Sequence, residues 1–391
     1  MKVCPLCNGS RTSLFLSRSQ TPVHQNLVMP DAVSARTVER GELSMVVCEQ
    51  CGFVFNAAFD ARKLAYGENY DNTQSCSAYF DEYLNGLVRE LVETRGVANA
   101  DIVEVGCGKG HFLRKLVEFP SARNRGTGFD PSYAGPSTEF DGRLTFVNRF
   151  YDESSSDVPA DFVVCRHVIE HVQDPIDLLR SVRSALRSSL RARVFFETPC
   201  VEWILSNKVI WDFFYEHCSL FSASSLKYAF EKSGFSVERV ARVFGEQYLW
   251  LEARPRMENM VRPQHPDSSE IVALAHHYGA EEIEQRKKWL QRLIELRRSG
   301  KVALWGAGAK GVTFANLVDP EVALLDCVVD INPNKQGRYI PGTGHPIVSP
   351  FTLSDRAIRS VILMNSNYRD ENQRILERAN LKIELVDWND S

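Results

Sequence analysis

Four groups of side chains in this sequence have types and spacings suited to chemistry. Near the N-terminus, Cys4-x2-Cys7 and Cys48-x2-Cys51 offer four thiols. Four thiolates suit a tetrahedral Zn2+ with no open position, an ion that holds structure together rather than catalysing. Buried or redox-active thiols are the other reading of the pairs. The run "VEVGCGKGHF" sets Glu104, Gly106, Gly108 and Gly110 directly after a strand-like segment, with Cys107 inside the loop. Glycines there let the backbone turn tightly and approach a ligand that a Cβ would exclude. Beyond that loop, Asp130 ends a second strand, where a carboxylate can take both ribose hydroxyls of a nucleoside. This is the geometry of an adenosine site. A dinucleotide fold is the alternative, although its fingerprint spaces the glycines as G-x-G-x-x-G.

That fingerprint does occur later, at Gly306, Gly308 and Gly311 of "WGAGAKG", with Asp330 ending the next strand. On motif grounds this is an NAD site. Lys310 would add a positive charge beside any phosphate, and the chain after Asp330 is long, irregular and glycine-rich. The loop at Gly308, with Lys310, Lys335 and Arg338, therefore reads also as a cradle for the pyrophosphate of a nucleotide-sugar. A loop that only packs is the third reading. Finally, "FFYEHCSLFS" places a phenol, a carboxylate and an imidazole on Tyr215, Glu216 and His217, which makes either a solvated turn or a proton-handling site. His24, between the cysteine pairs, reads as a polar loop residue. Glu170 and His171 read as groups that cap and orient a helix.

The elements that must position these groups follow from periodicity. Strand-like runs at 100–106, 126–130, 160–167 and 192–199 alternate with helical patterns such as "DPIDLLRSVRSAL", which argues an α/β fold with a parallel sheet covered by helices. "SASSLKYAFEKSGF" reads as a helix capped by serine and closed by Gly234. The expected domains are a short, loop-rich zinc-binding module at 1–56, an α/β domain at 57–258, a helical linker at 259–298 and a second α/β domain at 299–391.

Composition narrows the function classes. A chain of 391 residues with 44% hydrophobic and 25% charged residues has ample core for more than one domain. A formal net charge of -4 and the lack of a basic run argue against a nucleic-acid partner. The N-terminus lacks a signal-type apolar region, and no stretch of about eighteen apolar residues occurs, so no membrane association is expected. Together with cysteines scattered through apolar runs, this predicts a cytoplasmic protein.

The first glycine loop, Asp130 and "DFVVCRHVIEHVQDP" together resemble class I S-adenosylmethionine (SAM) methyltransferases, whose fold is Rossmann-like. That resemblance implies that Glu104, Gly106, Cys107, Gly108, Gly110, Asp130 and His167 line the cofactor, with Gln74 in a loop that closes over it. Along its full length the chain resembles the sugar C-methyltransferases, which join a four-cysteine zinc module, a SAM domain and a C-terminal Rossmann-like domain. The residues that carry this are the two cysteine pairs, "YGENYDNTQSCSAYF", "VEVGCGKG", "YEHCSLFS", "WGAGAKGVTFAN" and "DINPNKQGRYIPGT". The resemblance implies a small-molecule, nucleotide-linked keto-deoxysugar as substrate. A base would remove the proton beside its ketone, and the resulting enolate would take the methyl group. His217 suits the base, because an imidazole titrates near pH 6.5. Glu216 would orient it or hold a sugar hydroxyl, and Tyr215, Tyr66 or Tyr70 would donate to the enolate oxygen. The family's tyrosine-histidine-glutamate-histidine run lacks its first histidine here, so Tyr215 directly precedes Glu216. An O- or N-methyltransferase, an NAD-dependent oxidoreductase and a non-catalytic nucleotide-sugar binding protein are the rival functions.

Overall fold

The structure, a computed structural model, describes residues 2–64, 76–256 and 263–388. Tyr66, Tyr70 and Gln74 lie outside the described residues. The N-terminal segment, expected to be short and loop-rich, folds as an antiparallel ladder of β1 (Thr12–Pro22), β2 (Arg40–Cys48) and β3 (Val54–Asn56). The two cysteine pairs meet at one end of this ladder, where the start of β1 lies opposite the end of β2. The Sγ atoms of Cys4 and Cys51 lie 3.7 Å apart and those of Cys7 and Cys48 3.5 Å apart. Tetrahedral Zn–S bonds of about 2.3 Å set sulfurs about 3.8 Å from one another, so the cluster fits a four-thiolate ion. A disulfide is excluded at these separations.

The central sheet contains β4 (Asp101–Val105), β5 (Arg125–Phe129), β6 (Thr138–Glu139), β7 (Leu144–Val147), β8 (Phe162–Arg166) and β9 (Arg193–Pro199). Next in the chain, β10 (Ser219–Leu220) leaves this sheet and pairs with β3. The chain then returns through β11 (Phe235–Val243) and β12 (Tyr248–Pro255), giving the order β11-β12-β9-β8-β4-β5-β7-β6. The five strands β9-β8-β4-β5-β7 are parallel, with antiparallel edges at both sides. Strand order reverses at β4, so the first glycine loop leaves the sheet at its switch point, where ligands of open α/β sheets bind.

Local signals account for the helices. Asp174 caps the Pro175–Ala185 helix by accepting from Asp177 N–H, with Pro175 in its first turn. Ser222 and Ser225 form a reciprocal capping box on the Ala223–Lys232 helix, and Gly234 takes the left-handed φ of 90° that follows its last turn. The connecting helix runs over Ser269–Ser299, 31 residues, and begins well before the charged segment that predicted it. It leads into an all-parallel sheet of β13 (Lys301–Trp305), β14 (Leu325–Val329), β15 (Ile347–Val348), β16 (Ile358–Leu363) and β17 (Glu384–Asp387), ordered β15-β14-β13-β16-β17. This is a second doubly wound unit, and its switch point lies at β13, just before the second glycine loop.

These units interlock. Phe15 and Leu16 of the first sheet, Ile210 and Phe213 of the central domain, and Ile271 and Tyr278 of the long helix share one apolar core. Inside it Arg18 donates to the carbonyls of Phe213 and Ile210, both at 2.7 Å, and pairs with Glu282 on the long helix at 2.9 Å. Among the described residues, no helix is long and apolar enough to cross a membrane.

Replacing Glu282 with alanine strands the buried Arg18 guanidinium. Breaking a buried pair from one side costs about 3–5 kcal/mol, and urea unfolding should show a loss of that size, whereas Glu281→Ala, which breaks only half-exposed pairs with Lys208 and His277, should cost under about 1 kcal/mol.

Candidate functional site

At the end of β4 the glycine loop takes left-handed backbone angles: φ is 70° at Gly106, 52° at Gly108 and 75° at Gly110. A Cβ on Gly106 would meet Val168 at 2.3 Å, and one on Gly110 would meet Phe146 at 2.4 Å, whereas the side of Gly108 is open. Gly108 N–H donates to Asp130 Oδ2 at 2.8 Å, so the carboxylate at the end of β5 is tied directly to the loop. The Cys107 thiol is buried beneath Gly128; only its backbone belongs to the cradle. Glu104 is fully enclosed. Its Oε2 has no hydrogen-bond partner, and burial pushes its pKa up to about 8. An orphaned carboxylate oxygen below an open glycine cradle fits a nucleoside cofactor that carries a cationic group.

His167 follows β8 in a left-handed conformation, φ 54°, between two buried carboxylates. Its Nδ1 lies 3.2 Å from Glu170 Oε1 and its Nε2 2.8 Å from Glu197 Oε1. Burial opposes protonation of His167, but these two carboxylates outweigh it and raise its pKa to about 9. Glu197 also takes Arg166 at 2.8 Å and the Tyr83 hydroxyl at 2.5 Å. Burial works against ionisation of Glu197 too, and Arg166 and His167 overcome it, holding the pKa near about 2. Arg166, Glu197 and Tyr83 were missed from sequence; a lone glutamate within the apolar "RVFFETP" strand was the available signal. Glu170 and His171 do not cap the helix that follows, a role filled by Asp174. Glu170 instead accepts from Thr198 Oγ1 at 3.0 Å while it faces His167.

The three consecutive groups of "YEH" point in different directions. The Tyr215 hydroxyl accepts from Asp60 N–H at 2.9 Å, and its ring packs on Phe59 and under Gly41. It is a buried structural phenol, which corrects the expectation of an enolate donor. Glu216 turns toward the N-terminal segment: its Oε2 accepts from Gln25 N–H at 2.8 Å, and its Oε1 lies 3.8 Å from His24 Nδ1. Glu216 therefore does not orient His217 by a hydrogen bond, and His24 lies in a loop, as expected. His217 packs against the Phe214 ring at 4.1 Å and the His171 ring at 4.8 Å. A carboxylate oxygen of Glu170 and ring nitrogens of His171 and His217 come within 4.8 Å of one another. Burial, helped by the positive fields of His171, His167 and Lys310, drives the His217 pKa well below the usual imidazole value.

The second glycine loop holds Gly306 at φ 110°, while Gly308 is extended at φ -105° and caps the Ala309–Val318 helix. A Cβ on Gly308 would touch only Asn26 of the N-terminal segment, at 3.6 Å. Ala307 N–H donates to Asp330 Oδ2 at 2.8 Å. The cations read as a pyrophosphate cradle are separated. Lys310 pairs with Asp212 of the central domain at 2.6 Å and sits over the Trp203 ring; Lys335 is buried and donates to Ala307 O at 3.1 Å; Arg338 is exposed. Lys335 thus braces the loop from within, and Lys310 ties it to the segment that leads to His217.

The glycine cradle at the switch point of a Rossmann-like sheet is the arrangement of a class I methyltransferase fold. Residues 78–240 match the family described as "Methyltransferase domain", and residues 252–382 match "C-methyltransferase C-terminal domain". The chain is a SAM-dependent methyltransferase that carries both domains. Comparison with curated proteins found no match. Among solved structures, it is similar to a SAM-bound magnesium protoporphyrin IX methyltransferase from Synechocystis, at 15% identity and TM-score 0.32, over 46% of this chain and 80% of that one. It is also similar to a 1,6-didemethyltoxoflavin-N1-methyltransferase from Burkholderia thailandensis, at 15% identity and TM-score 0.35, over 52% and 96%. A third is a SAM-dependent methyltransferase from Mesorhizobium loti, at 18% identity and TM-score 0.30, over 44% and 99%.

The state of Glu104 generates a prediction. Below pH 8 the free enzyme holds this carboxyl largely protonated, and a bound cation lowers its pKa, so SAM binding at pH 7 should release a proton. Calorimetric enthalpies should then vary with the ionisation heat of the buffer. In Glu104→Gln that variation should vanish, and SAM affinity should fall about 10- to 100-fold, the size of a lost charge-assisted bond.

Proposed function

We propose that the enzyme C-methylates a nucleotide-linked keto-deoxysugar, with His217 as the general base. The observation that carries this reading is the desolvated imidazole, whose ring nitrogens make no hydrogen bond among the described residues and whose pKa is driven down. A neutral imidazole with open ring nitrogens can take the proton from the carbon beside a ketone, and the enolate charge formed beside it offsets the burial and positive fields that otherwise disfavour the imidazolium. Lys310 supplies a positive field at His217, and the same field favours negative charge on an enolate oxygen. The protonated His167 between Glu170 and Glu197 holds the floor of the site rigid and keeps the second positive charge nearby. Bound SAM supplies the methyl group as an electrophile. The C-methyltransferase C-terminal domain supports carbon as the acceptor.

Solvent deuterium exchange at the carbon beside the ketone tests the base. His217→Asn should lose exchange and methylation together, by about 10²-fold or more; exchange at the wild-type rate would exclude His217 from that role. Product NMR separates a new C–CH3 from an O–CH3 or N–CH3.

We also infer that Cys4, Cys7, Cys48 and Cys51 hold a structural Zn2+. The soft tetrahedral donor set and the fit of its sulfur separations support this choice of ion. Metal analysis should find one zinc per chain. Cys48→Ser should lose it and unfold at lower temperature, and a metal-free wild type that melts unchanged would contradict the assignment.

A further inference from the structure

A cavity of about 290 Å³ lies away from the first glycine loop, between β1 and the Ala309–Val318 helix. It is close in size to the smaller cavities that hold metabolites, which begin at about 300 Å³. Its floor contains two buried side chains with unsatisfied polar atoms. Gln25, wholly buried, spends its amide N–H2 on Pro22 O and leaves Oε1 without a partner. Thr313, 4% exposed, leaves Oγ1 without one. Both residues line the cavity. Buried polar atoms are satisfied in the great majority of native sites, so two orphans on one cavity wall point to a ligand.

The wall also carries a charge imbalance. Arg18 and Arg286 both line the cavity and share the single carboxylate of Glu282, leaving one positive charge in excess. Arg286 reaches Glu282 through Nε, so its terminal N–H groups make no hydrogen bond with the described residues. At the mouth, β1 slips register between Arg18 and Thr21, and the side chains of Ser19 and Gln20 stand exposed there. A bulge of this kind leaves strand residues outside the ladder and is common next to sites.

We propose that this cavity binds a polyhydroxylated small molecule with one anionic group. Hydroxyls satisfy both orphans, by donating to Gln25 Oε1 and bonding Thr313 Oγ1, and the anion meets Arg286. The site is wired to the proposed base. Gln25 holds Glu216 through its backbone N–H, and Arg18 holds the carbonyls of Ile210 and Phe213, so an occupant touches both residues that brace the segment ending at His217. The occupant is either the far end of the methyl acceptor or a separate metabolite.

Calorimetry on the full chain, with glucose 1-phosphate as probe and glucose and inorganic phosphate as its halves, tests this. Glucose 1-phosphate should bind, with each half at least about tenfold weaker. Thr313→Val should weaken its binding about tenfold, Thr313→Ser should restore it, and SAM affinity should be unchanged in both. Competition with a keto-sugar nucleotide assigns the site to the acceptor, and binding without competition assigns it to a separate metabolite; either supports the proposal. No heat from any probe, phosphate binding as tightly as glucose 1-phosphate, or an unchanged affinity in Thr313→Val would overturn it. His217→Asn leaves this binding intact, so failure of the base assignment is read separately.

Discussion

Two histidines in one buried site are forced into opposite protonation states, and the rest of the structure serves that separation. His167 sits between Glu170 and Glu197 and is held charged, with its pKa near about 9. His217 faces aromatic rings and positive neighbours and is held neutral. Pairs of titratable groups whose surroundings push them apart are how one site sets its acid and base roles at a single pH. Here the charged member is locked to two carboxylates, and the neutral member keeps its ring nitrogens available.

Holding that arrangement requires contacts from every part of the chain. Arg18 of the first sheet fixes the carbonyls just before "YEH", and Gln25 fixes Glu216. From the C-terminal domain, Glu371 accepts from Ser77 Oγ and Ala78 N–H at 2.5 and 2.6 Å, at the start of the helix whose Tyr83 reaches Glu197. Gln247 and Asn365 pair their side-chain amides across the same boundary, with both bonds at 2.9 Å. Lys310 and Asp212 add a charged tie. The N-terminal segment and the second Rossmann-like unit are therefore both tied to the methyltransferase domain.

Much of this was legible before the structure. Apolar runs of strand length marked β4, β5, β8 and β9, because strands covered on both faces need continuous burial. The glycines of the first loop were legible because glycine takes left-handed angles at no steric cost, and at Gly106 and Gly110 a Cβ would also collide with Val168 and Phe146. The β1 and β2 ladder was not, since bulges at Leu14–Leu16 and Arg18–Thr21 interrupt its alternation and polar residues fill its solvent face. The pairing of Ser219 and Leu220 with β3 was equally hidden, being a contact across about 165 residues that local pattern does not encode. Adjacent residues of an irregular turn share no face, so the sequence identified Tyr215, Glu216 and His217 without giving their directions. Only the structure shows Tyr215 on Asp60, Glu216 on Gln25 and His217 against His171.

The most direct test of the account is an NMR titration of the imidazole nitrogens of His167 and His217, assigned by single substitution. The account predicts that at pH 7 His167 is an imidazolium that loses its proton near pH 9, while His217 is neutral and stays so below pH 6.5. A His217 that titrates at or above 6.5, or a His167 already neutral at pH 7, would contradict it.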